Sequence, residues 1–143
     1  MTAPKVLIIG TGEYVTGLVH GSKSTSDKGA GIIALTLFDL RERGLVSTII
    51  LAGTNGSKFP LVRSHFKQLI AERYAMDTSF QSFPDDDQRD SNAWKTALQE
   101  LNPGDAVIIF TPDDLHYEMA YTAANKGLNV LVAKPIVKTV EEH

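Results

Sequence analysis

The chain has 143 residues, 43% of them apolar and 22% charged, enough for one domain with a single substantial core that needs neither disulfides nor metals. A formal net charge of −3 offers no basic surface for nucleic acid or an anionic membrane, and the absence of cysteine excludes disulfides, cysteine-based zinc sites and thiol catalysis. The four histidines are scattered and form no ligand cluster, so no metal site is expected.

The first apolar run, Val6–Ile9, is too short for a signal-peptide core or a membrane span and reads as a strand of a soluble, cytoplasmic protein. A short helix is expected near residues 15–19, then a polar, glycine-flanked surface loop over 21–31, then a longer helix over 32–43. Residues 48–52 form the second strand. Residues 60–74 form a helix with Leu61, Phe66, Leu69, Ile70 and Tyr74 near one face. The acidic stretch 83–90 reads as a solvated loop, since the framing of a calcium motif is missing. A helix over 92–101 has Ser91 as its expected N-cap and is stopped by Asn102-Pro103-Gly104. Residues 106–110 give a third strand. A helix over 114–126 is opened by Pro112-Asp113-Asp114 and closed by Gly127, and residues 130–132 give a fourth strand. All four strands are apolar without alternation, as in a parallel sheet buried on both faces, and the alternation with helices predicts a Rossmann-type doubly wound α/β fold in one domain.

Two turns carry candidate chemistry. The first strand runs into Gly10-Thr11-Gly12-Glu13-Tyr14, where glycine permits both a tight turn and close approach of a pyrophosphate. Gly10 and Gly12 are the candidate cradle, with Glu13 and Tyr14 beside them; Val15 stands where the dinucleotide fingerprint has its third glycine, and an ordinary strand-ending turn fits the same residues. After the second strand, Gly53-Thr54-Asn55-Gly56-Ser57-Lys58 lacks the acidic residue that takes the ribose hydroxyls of NAD. Thr54, Asn55 and Ser57 offer neutral hydrogen-bonding groups and Lys58 a positive charge, which favours NADP over NAD; a plain polar turn is the alternative.

The next two strand ends read Thr111-Pro112-Asp113-Asp114-Leu115-His116 and Ala133-Lys134-Pro135. In that order and spacing they resemble the Thr-Pro-x-x-x-His and Glu-Lys-Pro segments of the glucose-fructose oxidoreductase and inositol dehydrogenase family (Gfo/Idh/MocA). Similarity spans nearly the whole chain and is strongest over 106–139. The Gly-Thr-Gly-Glu-Tyr-Val-Thr-Gly and Ala-Gly-Thr-Asn-Gly segments are similar to those of fungal uronate reductases. The resemblance implies hydride transfer between a nicotinamide cofactor and a sugar, polyol or uronic acid. It implies that Thr111 and Pro112 line the nicotinamide side and that His116 helps shape that wall, although a histidine in the first turn of a helix is also a common capping or surface residue. Lys134 is the implied catalytic residue, its ammonium meeting the substrate oxygen that gains or loses a proton. The Lys134-Pro135 bond is a candidate cis peptide.

Two departures qualify the carry-over. Ala133 replaces the family's glutamate, and 45 residues separate Gly10 from Asn55, against about 20 from motif to acid in the fingerprint. The family continues past Lys-Pro into a second α/β domain with the substrate site and usually the subunit interface. The chain is therefore expected to be an isolated or partial domain that binds NADP(H) and turns over poorly alone, with any homo-oligomer formed through the missing domain. A cofactor-sensing module without catalysis and, less well supported, a Rossmann-like methyltransferase are the competing readings.

Overall fold

The computed structural model describes residues 2–143. In chain order the regular elements begin with strand β1 (Val6–Ile9), helix α1 (Glu13–Thr16), the two-residue strands β2 (Leu18–Val19) and β3 (Ser22–Lys23), and helix α2 (Ile32–Glu42). Strand β4 (Ile49–Ala52) follows, then a 3₁₀ turn (Gly56–Lys58) leading into helix α3 (Phe59–Phe66), whose axis continues through a π-helical stretch (Lys67–Ala71) into α4 (Glu72–Tyr74). The chain closes with β5 (Gln81–Phe83), α5 (Ala93–Leu98), β6 (Ala106–Ile109), a 3₁₀ turn (Asp113–Leu115), α6 (His116–Asn125) and β7 (Asn129–Val132).

Five strands make one parallel sheet in the order β5-β4-β1-β6-β7. This is the Rossmann-type α/β arrangement, with the order reversing beside β1. The register is level: Ile9 lies between Ala52 and Ile109, and Ile109 faces Val132. The ladder runs one residue further, Gly10 N–H donating to Ala52 O and Phe110 N–H to Ile9 O, each at 2.9 Å. The segments that follow four neighbouring strands therefore start from one line, which is why motifs far apart in sequence share one edge.

Alternation along each strand splits the apolar residues between two helical layers. Val6, Ile8, Ile49 and Leu51 face α2 and α3, where Phe38 and Phe66 pack edge to face at 5.3 Å and Phe66 meets Phe80 at 5.8 Å. Leu7, Ile9, Ile50, Val107 and Ile109 face Trp94 and Leu98 of α5 and Met119 of α6.

Several expectations are corrected. Gln81–Phe83 adds a fifth strand, so Phe83 ends a strand instead of opening a loop; the three residues carry no pattern, and their pairing with β4 places them. The helix expected over 15–19 is α1, one turn ended by Gly17 at φ 77°, after which Leu18 and Val19 pair with Lys23 and Ser22 in a hairpin. Residues 21–31 thus contain a strand as well as loop. The helix over 92–101 is regular only from Ala93 to Leu98; Asn92, not Ser91, holds the N-cap position, and its N–H donates to Asp90 Oδ1 at 2.8 Å. Burial is also uneven: β1 and β4 are buried throughout, but in β7 Val130 is 37% and Leu131 53% exposed, because β7 is the last strand of the row.

The long first crossover has a simple plan. A Cβ on Gly31 would lie 2.4 Å from Val15 O, so the chain returns at residue 31 to the place it left at residue 17. Residues 17–31 are an excursion between α1 and α2. Ser24 N–H donates to Gly17 O and Gly31 N–H to Lys28 O, both at 2.8 Å, and His65 of α3 contacts Gly29 O through Nε2 at 2.7 Å.

Candidate cofactor site

The two glycines of the first turn serve different ends. Gly10 has φ 118°, and a Cβ there would sit 2.0 Å from Phe110 O, so the sheet's own backbone requires glycine. Gly12 has φ −80°, which any residue adopts, and nothing lies within 4 Å of where its Cβ would be. Packing does not demand a glycine at position 12. The bare backbone faces open space, the room a phosphate needs beside peptide N–H groups.

Two cavities meet at this turn and share Thr11 and Gly12. One, of about 340 Å³, is an apolar slot beneath the ends of β1, β4 and β6, walled by Gly53, Trp94, Phe110, Pro112 and Met119, with Thr54, Ser91 and Thr111 at its polar margin. A flat heteroaromatic base fits a slot of this shape and polarity. The other, of about 530 Å³, is a cleft on the opposite side, between the excursion and the start of α3, with Gly12, Glu13, His20 and Lys58 among its lining. A glycine turn flanked by an apolar slot and a cleft with Glu13 and Lys58 in its walls suits a dinucleotide.

At the end of β4, Asn55 Oδ1 accepts from Ser57 N–H at 3.2 Å and Ser57 Oγ at 2.8 Å, so these two side chains shape the turn as well as offering polar groups. Lys58 is exposed and joins none of the ion pairs among the described residues. The acidic stretch is solvent-exposed in its side chains, yet its backbone is docked: Gly56 N–H donates to Gln88 O at 2.9 Å, Asp90 N–H to Thr54 O at 3.0 Å, and Asn55 bridges Arg89. Asp86 is spent on Arg63 at 3.0 and 3.1 Å. This docking sets the backbone of Arg89 beside Asn55 and that of Asp90 beside Thr54, neighbours that their distance in sequence conceals.

Glu13 is turned toward the excursion. Its Oε1 accepts from the hydroxyl of Ser24 and, at 2.7 Å, from that of Ser26, and these two donors hold its carboxyl below the usual range. Tyr14 is half-exposed, its ring 6.0 Å from Phe110 and 5.2 Å from the Lys28 ammonium. Thr111 and Pro112 line the apolar slot.

His116 is not a surface residue; its backbone N–H caps the 3₁₀ turn by donating to Asp113 O, while its side chain turns inward. It is fully buried, with Nδ1 2.6 Å from Pro135 O and Nε2 3.0 Å from Thr111 O. It therefore ties the Thr-Pro turn after β6 to the Lys-Pro turn after β7. Both partners are carbonyl acceptors, so an imidazole with a single N–H satisfies one at a time. Lys134 is exposed, precedes a cis bond to Pro135 and lines neither cavity.

The structure thus gathers Gly10, Gly12, Thr54, Thr111 and Pro112 around the slot and Gly12, Glu13 and Lys58 around the cleft. Asn55 and Ser57 stand at the turn between them, and His116 and Lys134 lie toward β7. Trp94 and His20 line these cavities without a local motif to announce them. Among the described residues no group of three or more His, Asp or Glu gathers as for a metal, and no helix is long and apolar enough to cross a membrane.

A level row of strand ends, a glycine turn and two flanking cavities define a dinucleotide-binding Rossmann domain. Residues 48–143 match the model of the Gfo/Idh/MocA oxidoreductase family, NAD-binding Rossmann fold, and the chain belongs to that family. Among solved structures it is similar in fold to two crystal forms of UDP-N-acetylglucosamine 3-dehydrogenase from Acidithiobacillus ferrooxidans, with TM-scores of 0.54 and 0.53 at 17% and 18% identity. In both cases 99% of this chain aligns with 33% of the other, so the chain spans about a third of the length of these structures. No curated protein sequence matches it.

Proposed function

We propose that the chain is the cofactor-binding part of an NADP-dependent oxidoreductase that moves a hydride to or from a sugar, polyol or uronic acid, in the manner of a D-galacturonate reductase. The observation that carries the cofactor choice is the turn after β4, where no acid occurs between Leu51 and Lys58 and where Lys58 follows Thr54, Asn55 and Ser57. A carboxylate there would repel a 2′-phosphate, whereas cations and neutral donors attract it. NAD is the weaker ligand in this reading.

The cofactor supplies the hydride chemistry, and the protein's tasks are placement and proton management. Gly10 and Gly12 bring backbone against the pyrophosphate, and the apolar slot, which Thr111 and Pro112 help to line, takes the adenine. Lys134 holds or releases a proton at the substrate oxygen through Nζ, oriented by the turn that His116 secures. Substrate enters with a further domain beyond this chain, which would also carry any homo-oligomer contact. A binding or sensing module without catalysis is the second reading, favoured by the exposure of Lys134 outside both cavities.

Calorimetric titration with NADPH and NADH, alongside Lys58→Glu, tests the cofactor assignment. NADPH is expected to bind at least about tenfold tighter than NADH, with that margin lost in the variant. Equal binding of both nucleotides by the unaltered chain overturns the NADP assignment; binding of neither overturns the cofactor role of the chain on its own.

A further inference from the structure

The excursion between α1 and α2 converges on a side chain outside itself, that of Glu13. Ser24 is buried, and its hydroxyl oxygen lies 2.9 Å from that of Ser26. Each oxygen already accepts from a backbone N–H further along the loop, Ser24 Oγ from Ser26 at 3.1 Å and Ser26 Oγ from Lys28 at 3.2 Å. Each hydroxyl then has a single proton to give. Oε1 of Glu13 accepts from both, from Ser26 at 2.7 Å. Lys28, the cation whose field reaches Glu13, is itself paired with Asp27 at 3.0 Å. Two hydroxyls, more than any counter-charge, therefore hold this carboxylate. They also keep it below the usual carboxylate range, so Glu13 carries a full negative charge at neutral pH.

That charge stands where a dinucleotide tolerates it least. Glu13 directly follows Gly12, the glycine whose bare backbone faces open space, and it lines the cleft that opens from the same turn. A pyrophosphate seated on the turn brings negative charge of its own, and an unrestrained glutamate at the next position sweeps the same space. Like charges at that range oppose binding. The hydrogen bonds of the Glu13 carboxylate all come from the excursion, so the excursion decides where it points. Resting on the reading that this turn takes the pyrophosphate, we propose that Ser24 and Ser26 are positioning residues for nucleotide binding: they hold the Glu13 carboxylate on the excursion side of the turn, so that the phosphates meet peptide N–H groups without an opposing charge. The polar stretch 22–28 is in that case a latch for one carboxylate, and it acts on the cofactor without touching it.

The test is calorimetry of the whole chain with NADPH and NADH for the unaltered protein, Ser24→Ala with Ser26→Ala, Glu13→Gln, and all three substitutions together. Removing the serines is expected to weaken both nucleotides about tenfold and to a similar degree, because the pyrophosphate is common to them. In the Glu13→Gln background the same removal should cost less than about twofold, since no charge is left to restrain. The deficit should also shrink between about 0.05 and 0.5 M salt, because salt screens a repulsion and does not repair a loosened loop. Serine removal that leaves affinity unchanged or tighter, or that costs as much with Glu13→Gln as without it, shows that the hydroxyls only fold the loop; the positioning role is then overturned while nucleotide binding stands. If the unaltered chain binds neither nucleotide, the turn takes no pyrophosphate and the proposal falls with that reading.

Discussion

The β4 end and the β7 end of the strand row differ in how much of their own surroundings they supply. Beside β4, every strand residue is buried, three phenylalanines interlock beneath the sheet, the loop 84–92 is stitched to the turn after β4, and the excursion roofs the cleft. At β7, apolar residues face outward, Lys134 stands exposed, and one buried histidine secures the turn that carries it. The β4 end is built by packing within the chain, while the turn after β7 is held by one buried imidazole set between two carbonyls. Stability and cofactor binding should therefore respond to the same substitutions at the first end and separate at the second.

The largest contrast is in the core. Phe66→Ala is expected to lower unfolding free energy by about 3–5 kcal/mol, read by urea denaturation, because a large buried ring leaves a cavity between two aromatic neighbours. Leu131→Ser at the exposed edge should stay within about 0.5 kcal/mol. Comparable losses at both positions would erase the distinction between the two ends.

Next come the two glycines. Gly10→Ala should cost about 3 kcal/mol through its clash with Phe110 O and its positive φ, whereas Gly12→Ala should leave stability within about 0.5 kcal/mol. The same Gly12→Ala change should weaken NADPH at least about tenfold, since its methyl group fills the space above the turn. A stability loss at Gly12 matching that at Gly10 would show that packing, not a ligand, accounts for both.

At the β7 end, His116→Ala should cost about 1–3 kcal/mol by stranding the two carbonyls it joins. Amide exchange should quicken around residues 111–115 and 133–137 while the turn at 10–14 stays protected. Exchange that quickens equally at both sites would mean the ends are coupled more tightly than the contacts suggest.

The smallest effect concerns pH. Burial, with Lys23 nearby, lowers the pKa of His65 below the usual histidine value, against the opposing effect of its bond to Gly29. The unfolded chain thus binds a proton more readily, so this contribution is complete above about pH 6.5 and declines as pH falls through the ordinary histidine range toward the lowered folded value. Denaturation midpoints measured from pH 7.5 to 5 should fall, and His65→Gln should flatten that slope. An unchanged slope in the variant assigns the decline to other groups.

What could be read from the sequence follows the same division. The glycine turn, the Thr-Pro and Lys-Pro segments and the alternation of strands with helices are local patterns, and each of the three segments follows the end of a strand as read. β5 was hidden because three residues of mixed polarity become a strand only by pairing with β4. Arg89 was hidden because a loop docks it beside Asn55, and His20 because a turn hands it across a cleft. The exposure of β7 misled in the other direction: apolar composition reports affinity for a core, and only the strand's place at the end of the row reveals which faces are covered.

The excursion leaves the crossover at residue 17 and rejoins it at residue 31 with its two ends touching. Such a detour brings the chain back to the place it left, so the path from β1 into α2 runs as it would if residues 17 and 31 were joined directly.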